Sequence, residues 1–316
     1  MIEEIIIQTL KFLIRIVPIS AFGVVFAEFI INIGYVDKVS IVAKPIVSFA
    51  RLRKECGVSF VTAFISPTAA NSMLVEYYKN KLIEKRELYI SSIINSFPAI
   101  IMHWRYMLPV LIPLLGFTGL IYFLLLSLVG LLKTLIVMLI GRILLNERRD
   151  GEQNNLPMMG HMIRPTLKKA FEKSIKNAIS TIKRISITMT ITILIVNCLV
   201  TLGFFDSLIE NLKMFSSYLP IESTGLAIIV AHFGGYVSSC TVAADLMSRG
   251  LLSQKEIILS LLFAELITSI ASVRYLVPYY IGIFGAEIGS KIMVMSMALR
   301  NIILIFVITL VLFLWC

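Results

Sequence analysis

Arg105-Tyr106-Met107-Leu108-Pro109 returns 169 residues later as Arg274-Tyr275-Leu276-Val277-Pro278. Working outward at the same offset, Gly116 falls on Gly285, Glu87 on Glu256, Glu76 on Asp245 and Phe64 on Phe233. Gly34-Tyr35-Val36-Asp37 falls on Gly203-Phe204-Phe205-Asp206, and Arg15-Ile16 on Arg184-Ile185. The register runs without a gap from about Lys11 to Leu145. Matched Leu, Ile and Val carry little weight in so apolar a chain, but Gly, Pro, Arg and Asp are scarce and still keep one offset. A fixed internal period decides architecture before any local feature does. The sequence therefore reads as two homologous halves, 1–145 and 170–316. They are joined by a polar, basic linker, 146–169, that holds Gly151, Pro157, Gly160 and Pro165.

Composition says where such halves reside. The 316 residues are 58% hydrophobic and 15% charged, with a mean hydropathy of +0.91. A soluble domain carries about 25% charge and roughly 45–50% apolar residues. The excess is gathered into runs such as Ile16–Val36, Gly119–Gly141, Ile185–Leu202 and Ile292–Trp315. Each approaches the ~20 residues that cross a hydrocarbon core. Met1-Ile2-Glu3-Glu4 is acidic where a signal peptide is basic, so the first helix is expected to be retained. Cys56, Cys198, Cys240 and Cys316 lack CxxC spacing, which indicates neither a disulfide framework nor a zinc knuckle.

Each half reads alike. A long helix (Ile5–Ile33; Ile175–Leu202) ends at the Gly-aromatic-x-Asp break. An amphipathic interfacial stretch follows (Val36–Arg51; Asp206–Leu219). A short apolar run broken by small and polar residues comes next (Gly57–Leu74; Gly225–Leu246), then a spanning helix (Glu87–Trp104; Glu256–Val273). The Arg-Tyr-x-x-Pro corner leads into a last long helix (Gly119–Leu145; Ile288–Leu314).

Charge gives the orientation, because Lys and Arg gather on the cytoplasmic side of short loops. Arg142 to Arg184 holds ten basic residues, which makes the linker cytoplasmic. Lys38 to Arg86 holds nine, whereas its counterpart Ser207 to Lys255 holds three. Homologous loops of such unequal charge belong on opposite faces, so each half must cross the membrane an odd number of times. Three crossings satisfy this if the broken run is a re-entrant hairpin. The expected fold is all-α and polytopic: two inverted-topology repeats, each with about three transmembrane helices, an interfacial helix and a re-entrant helical hairpin. The expected location is the cell membrane.

Irregular backbone at membrane depth survives where protein buries it or where it lines a wet cavity. The hairpins are therefore the candidate site: Ser66, Thr68, Asn71 and Ser72 in the first, and Gly234, Gly235, Ser238, Ser239 and Thr241 in the second. Close helix packing through small residues is the competing reading. Glu265 falls opposite Ser96 in the register, with Asn95 beside that partner; Glu265 and Asn95 are the candidates for coupling, Glu265 by taking a proton or a sodium ion. An acid at that depth is costly and is either functional or paired; Arg300 and Lys133, which also interrupt apolar spans, are the partners on offer. His232 and Cys240 offer two metal ligands without a third. No phosphate loop, nucleophile elbow, HExxH or dinucleotide fingerprint occurs, so the chain is read as a non-enzyme without cofactor or resident metal. The net charge of +10 could suggest nucleic acid, but its gathering in particular loops fits membrane orientation instead.

Gly57–Pro109 and Gly225–Pro278, each a broken segment followed by a charged turn and an apolar helix, resemble the nucleoside-recognition or Gate domain family. That family occurs in concentrative nucleoside transporters, in the membrane part of ferrous-iron transporters and in spore-maturation proteins. The two-copy arrangement looks like archaeal membrane proteins of that family. The resemblance implies paired hairpins whose tips line a solute path. It implies neither nucleosides nor the soluble GTPase domain of the iron transporters. The expectation is a secondary transporter, coupled to H⁺ or Na⁺, of a small polar solute, with nucleoside-like compounds among the candidates. A metal-ion permease and a non-transporting scaffold are the alternatives, and the oligomeric state is open.

Overall fold

Prolines, glycines and helix caps punctuate this chain at matching places. The computed structural model describes residues 40–64, 66–145, 167–201 and 220–315, with scattered helical positions between 3 and 29. The described residues are overwhelmingly helical, and no strand occurs among them. The helices are α1 (Ser40–Phe49), α2 (Lys54–Ala63), α3 (Pro67–Lys79), α4 (Lys85–Ile94), α5 (Ser96–Met102), α6 (Trp104–Leu144) and α7 (Leu167–Thr201). A 3₁₀ turn at Ser223–Gly225 then leads into α8 (Leu226–Phe233), α9 (Tyr236–Ser248), α10 (Gln254–Thr268), α11 (Val273–Phe284) and α12 (Ala286–Leu314).

Adding 169 to the first residue of α3, α4 and α6 lands on the first residue of α9, α10 and α11. The local causes match as well. The Glu87 carboxylate accepts from the Glu84 N–H at 2.8 Å, and Glu256 accepts from the Ser253 N–H at 2.6 Å. Each thereby satisfies a backbone donor that a helix start leaves open. Lys81 and Gly250 both take positive φ just after a hairpin, and Gly116 and Gly285 both take positive φ further on. At Gly116 the chain departs from helical geometry, dividing α6 into arms 104–115 and 117–144.

The two portions hold each other. The first hairpin, α2–α3, packs against α11 of the other half, while α9 of the second hairpin packs against α6. Tyr236 Oη donates to the Met107 carbonyl in the first arm of α6 at 3.4 Å. The buried core divides accordingly. Phe60, Leu74, Leu88 and Ile94 pack with Tyr280, Phe284 and Ile292. Ile228, Val242, Ile257 and Leu261 pack with Val110, Leu111, Leu115 and Tyr122. Neither hairpin has a complete core without the other half.

α6 and α12 are long and apolar enough to cross a membrane. Only 39% and 28% of their most apolar windows are buried. Leu124, Leu128, Leu131, Leu135 and Leu139 form an exposed stripe along α6, with the 3–4 residue spacing of one helix face.

Several expected boundaries shift. Glu87–Trp104 is expected as one span but is broken at Asn95 and His103. Pro98, three residues into α5, lacks the N–H that would bond the Ile94 carbonyl, so the helix ladder is interrupted there. Glu256–Val273 is likewise interrupted after Thr268. There the Ser269 Oγ donates to the Leu266 carbonyl at 2.7 Å and the Ser272 Oγ to the Thr268 carbonyl at 3.3 Å, a competition with the helix ladder that Ser and Thr favour. The remaining α10 has 15 residues, about 22 Å at ~1.5 Å per residue, short of a bilayer core of about 30 Å. The Arg105-Tyr106 corner is itself helical and starts α6, the bend lying just before it. The expected final spans lie within α6 and α12, and Ile175–Thr201 lies within α7. The linker ends earlier than expected, since α7 begins at Leu167. Asp206–Leu219, linker residues 146–166 and most of Ile5–Ile33 lie outside the described residues.

Candidate functional site

Where α5 meets the break between α10 and α11, facing the long helices α6 and α12, the packing leaves a cavity of about 420 Å³. Its polar wall includes Lys133, Glu265, Ser269, Ser272, Ser296 and Arg300, and Phe123, Leu126 and Leu276 supply an apolar one. His103, an exposed residue, also lines it.

Glu265 is the centre of the charged wall. Its Oε2 is bonded by the Arg300 guanidinium of α12. Its Oε1 lies 3.4 Å from the Tyr122 hydroxyl of α6 and 3.7 Å from His232 Nε2 at the end of α8. Four helices therefore converge on one carboxylate. Of the two partners the sequence offers, Arg300 takes the acid. Lys133 instead donates to Ser296 Oγ at 2.6 Å.

His232 links this carboxylate to the second hairpin, with Nδ1 at 2.9 Å from Ser239 Oγ. The Ser239 hydroxyl can donate to the Tyr236 carbonyl, 2.9 Å away; His232 then donates through Nδ1. If the hydroxyl turns to donate to Nδ1 instead, the ring proton sits on Nε2 and faces Glu265. A rotation of one hydroxyl thus changes which end of the imidazole presents a proton. Cys240 is buried beside Ser239. Among the described residues no three His, Cys, Asp or Glu side chains come together as a metal site.

A second polar cluster lies in the first half. Asn95 Nδ2 donates to Ser59 Oγ at 2.7 Å and to Asn71 Oδ1 at 3.2 Å. Asn71 Nδ2 donates in turn to the Tyr279 hydroxyl at 3.1 Å. Asn95 Oδ1 is buried and finds no partner among the described residues, an omission that costs about 1–3 kcal/mol in a dry interior.

The residues singled out from sequence separate into groups. Asn71 and Asn95 come together, as do Ser239 and Glu265 through His232. Ser66 caps α3 by accepting from the Ala69 N–H at 3.2 Å. Thr68 and Ser72 lie on the exposed face of α3, away from both clusters. Gly234 is exposed and Gly235, at φ 121°, turns the chain from α8 into α9, a conformation that suits glycine. Thr241 donates to the Val237 carbonyl of its own helix at 2.8 Å, and Ser238 is buried near Gly234. Sequence reasoning missed Tyr122, Tyr279 and Ser296. A hydroxyl within an apolar run signals polarity but not its partner.

Three proteins of Methanocaldococcus jannaschii match the chain along almost its whole length. Uncharacterized protein MJ1556 is 37% identical over 313 residues, covering 97% of this chain and 99% of its own. Uncharacterized protein MJ0880 is 28% identical over 305 residues, 95% and 97% of the two chains. Uncharacterized protein MJ0871 is 27% identical over 297 residues, 93% and 92%. No family model matches the chain, and no solved structure does.

Proposed function

The chain belongs to the family of these archaeal proteins, and we propose that it is a polytopic membrane protein of two inverted repeats that works as a secondary transporter of a small polar solute. The observation that carries this reading is the cavity of about 420 Å³ between the two portions, with Lys133, Glu265 and Arg300 on its wall. Its size lies within the roughly 300–1,000 Å³ of small-molecule sites. Charges set among apolar helices are costly and mark solute or ion paths. The exposed leucine stripe of α6 favours lipid over water as its surroundings. The common offset of helix starts, together with each hairpin completing its core against the other half, supports a repeat. Inverted repeats with broken helices at the midplane are a transporter architecture.

The inversion is tested with single cysteines at the two hairpin exits, Lys81→Cys and Arg249→Cys, in a chain whose native cysteines are replaced. In intact cells an impermeant maleimide is expected to label Cys at 249 and spare it at 81. Labelling of both from one side would overturn the architecture. Transport is tested in proteoliposomes with labelled uridine, a carboxylate and inorganic phosphate under imposed Na⁺ or pH gradients. Gradient-dependent uptake is expected. Correctly folded protein that takes up none of these in either gradient would favour the scaffold reading.

A further inference from the structure

Lys133 is the feature that ion pairing leaves unexplained. It lies within the apolar run of α6 at 3% exposure, so its ammonium does not snorkel to the surface as lysines in apolar helices otherwise do. It lines the cavity. Its hydrogen bond goes to a neutral hydroxyl, Ser296, and no carboxylate pairs with it among the described residues. The acid on the same wall, Glu265, is engaged by Arg300. With its ammonium protonated, Lys133 joins Arg300 to set two cations against one anion on this wall, an arrangement that desolvation makes expensive until an anion binds beside it.

We propose that the transported solute is a small organic oxyanion, a carboxylate or a phosphate ester, whose charged end is held by Lys133 and Ser296. This rests on the transport reading and specifies its substrate class. An oxyanion would complete the pairing: its oxygens accept from the ammonium and from the Ser296 hydroxyl, which the ammonium now uses as an acceptor. Ser296 can do both because a hydroxyl carries one donor and two acceptor sites. The organic body of the solute has a matching surface in Phe123, Leu126 and Leu276. Nucleosides, which are neutral, leave the excess charge uncompensated.

The test uses the full chain in lipid nanodiscs, titrated with sodium benzoate, sodium glycerol phosphate or uridine at constant ionic strength set with sodium chloride. One of the two anions is expected to raise the thermal midpoint saturably in the native chain, and which one does so distinguishes carboxylate from phosphate. Lys133→Met is expected to bind that anion about tenfold more weakly or worse, given the strength of charge-assisted hydrogen bonds. Lys133→Arg, which keeps the charge, is expected to restore most of the affinity, and Ser296→Ala to fall between. Equal affinity in native protein and a folded Lys133→Met would overturn the proposal. So would saturable binding of uridine with no response to either anion, an outcome that leaves transport standing. Anion binding without uptake into proteoliposomes has the opposite meaning: the oxyanion site stands and the transport reading falls.

Discussion

Gly289→Val is expected to yield no stably folded protein, and Gly119→Val to behave the same way. A Cβ on Gly289 would lie 2.4 Å from the Tyr280 carbonyl oxygen and 2.7 Å from its carbon. On Gly119 it would lie 2.6 Å from the Leu111 carbonyl oxygen. These neighbours are backbone atoms inside helices, so they cannot swing aside as a flexible side chain would. The contacted carbonyls, Leu111 and Tyr280, are themselves 169 residues apart. Each glycine follows a reversal at Gly116 or Gly285, whose φ values of 55° and 80° strain any residue with a Cβ. A short helix can thus fold back onto a long one only where two glycines serve together, one for the turn and one for the crossing.

Overpacking a core with side chains costs about 1–3 kcal/mol and occasionally more. A clash with helix backbone belongs at or above the top of that range. Domains have about 5–15 kcal/mol in total, and here the crossing also places the segment that completes the partner hairpin's core. The loss should therefore spread to both clusters. The measurements are the yield of monodisperse protein in detergent and its thermal midpoint. Gly282→Ala is the control: nothing lies within 4 Å of its Cβ position, it sits inside α11, and it should leave stability unchanged or raise it by up to about 1 kcal/mol. A Gly289→Val protein that melts like the native chain would mean that the two helices do not cross this closely.

These glycines show what a sequence of this kind discloses. Gly116 and Gly285 align at the common offset because backbone conformation restricts the residue type, and that restriction is written in the residue itself. The helix starts at Glu84 and Ser253 are legible for the same reason, through the acid three residues later. Breaks made by tertiary competition are less visible. Ser269 and Ser272 are compatible with a helix, and nothing in their residue type marks the break after Thr268; Pro98 carried a signal that an apolar span of the right length masked. In the site, Glu265 stands out because an acid in an apolar run is rare. Its choice of Arg300 over Lys133 depends on interhelical geometry, which no spacing encodes. Thr68 and Ser72, four apart, share one face of α3, while Ala70, Asn71 and Leu74 are buried. Reading the polar cluster as one unit overlooked that helical division.

Breaking the Glu265–Arg300 pair from one side is expected to cost more than removing it from both. Glu265→Gln leaves a guanidinium on the cavity wall without its anion. Arg300→Gln leaves a carboxylate held by Tyr122 at 3.4 Å, a long bond, with His232 too distant for a hydrogen bond. Removing one partner of a fully buried pair costs about 3–5 kcal/mol. Here the side chains are 18% and 31% exposed, so about 1–3 kcal/mol per single substitution is the expected range. The double variant should be less destabilised than either single one, with a coupling above the ~0.3–0.5 kcal/mol scatter of independent sites. Tyr122→Phe should cost less than either, about 0.5–1.5 kcal/mol for one neutral donor. Chemical denaturation of the four proteins gives the cycle. Uptake supplies the second readout, since Glu265→Gln that remains folded is expected to lose gradient-driven accumulation while its downhill flux survives. Additive destabilisation together with unaltered accumulation would remove Glu265 from both the fold's electrostatics and the coupling step.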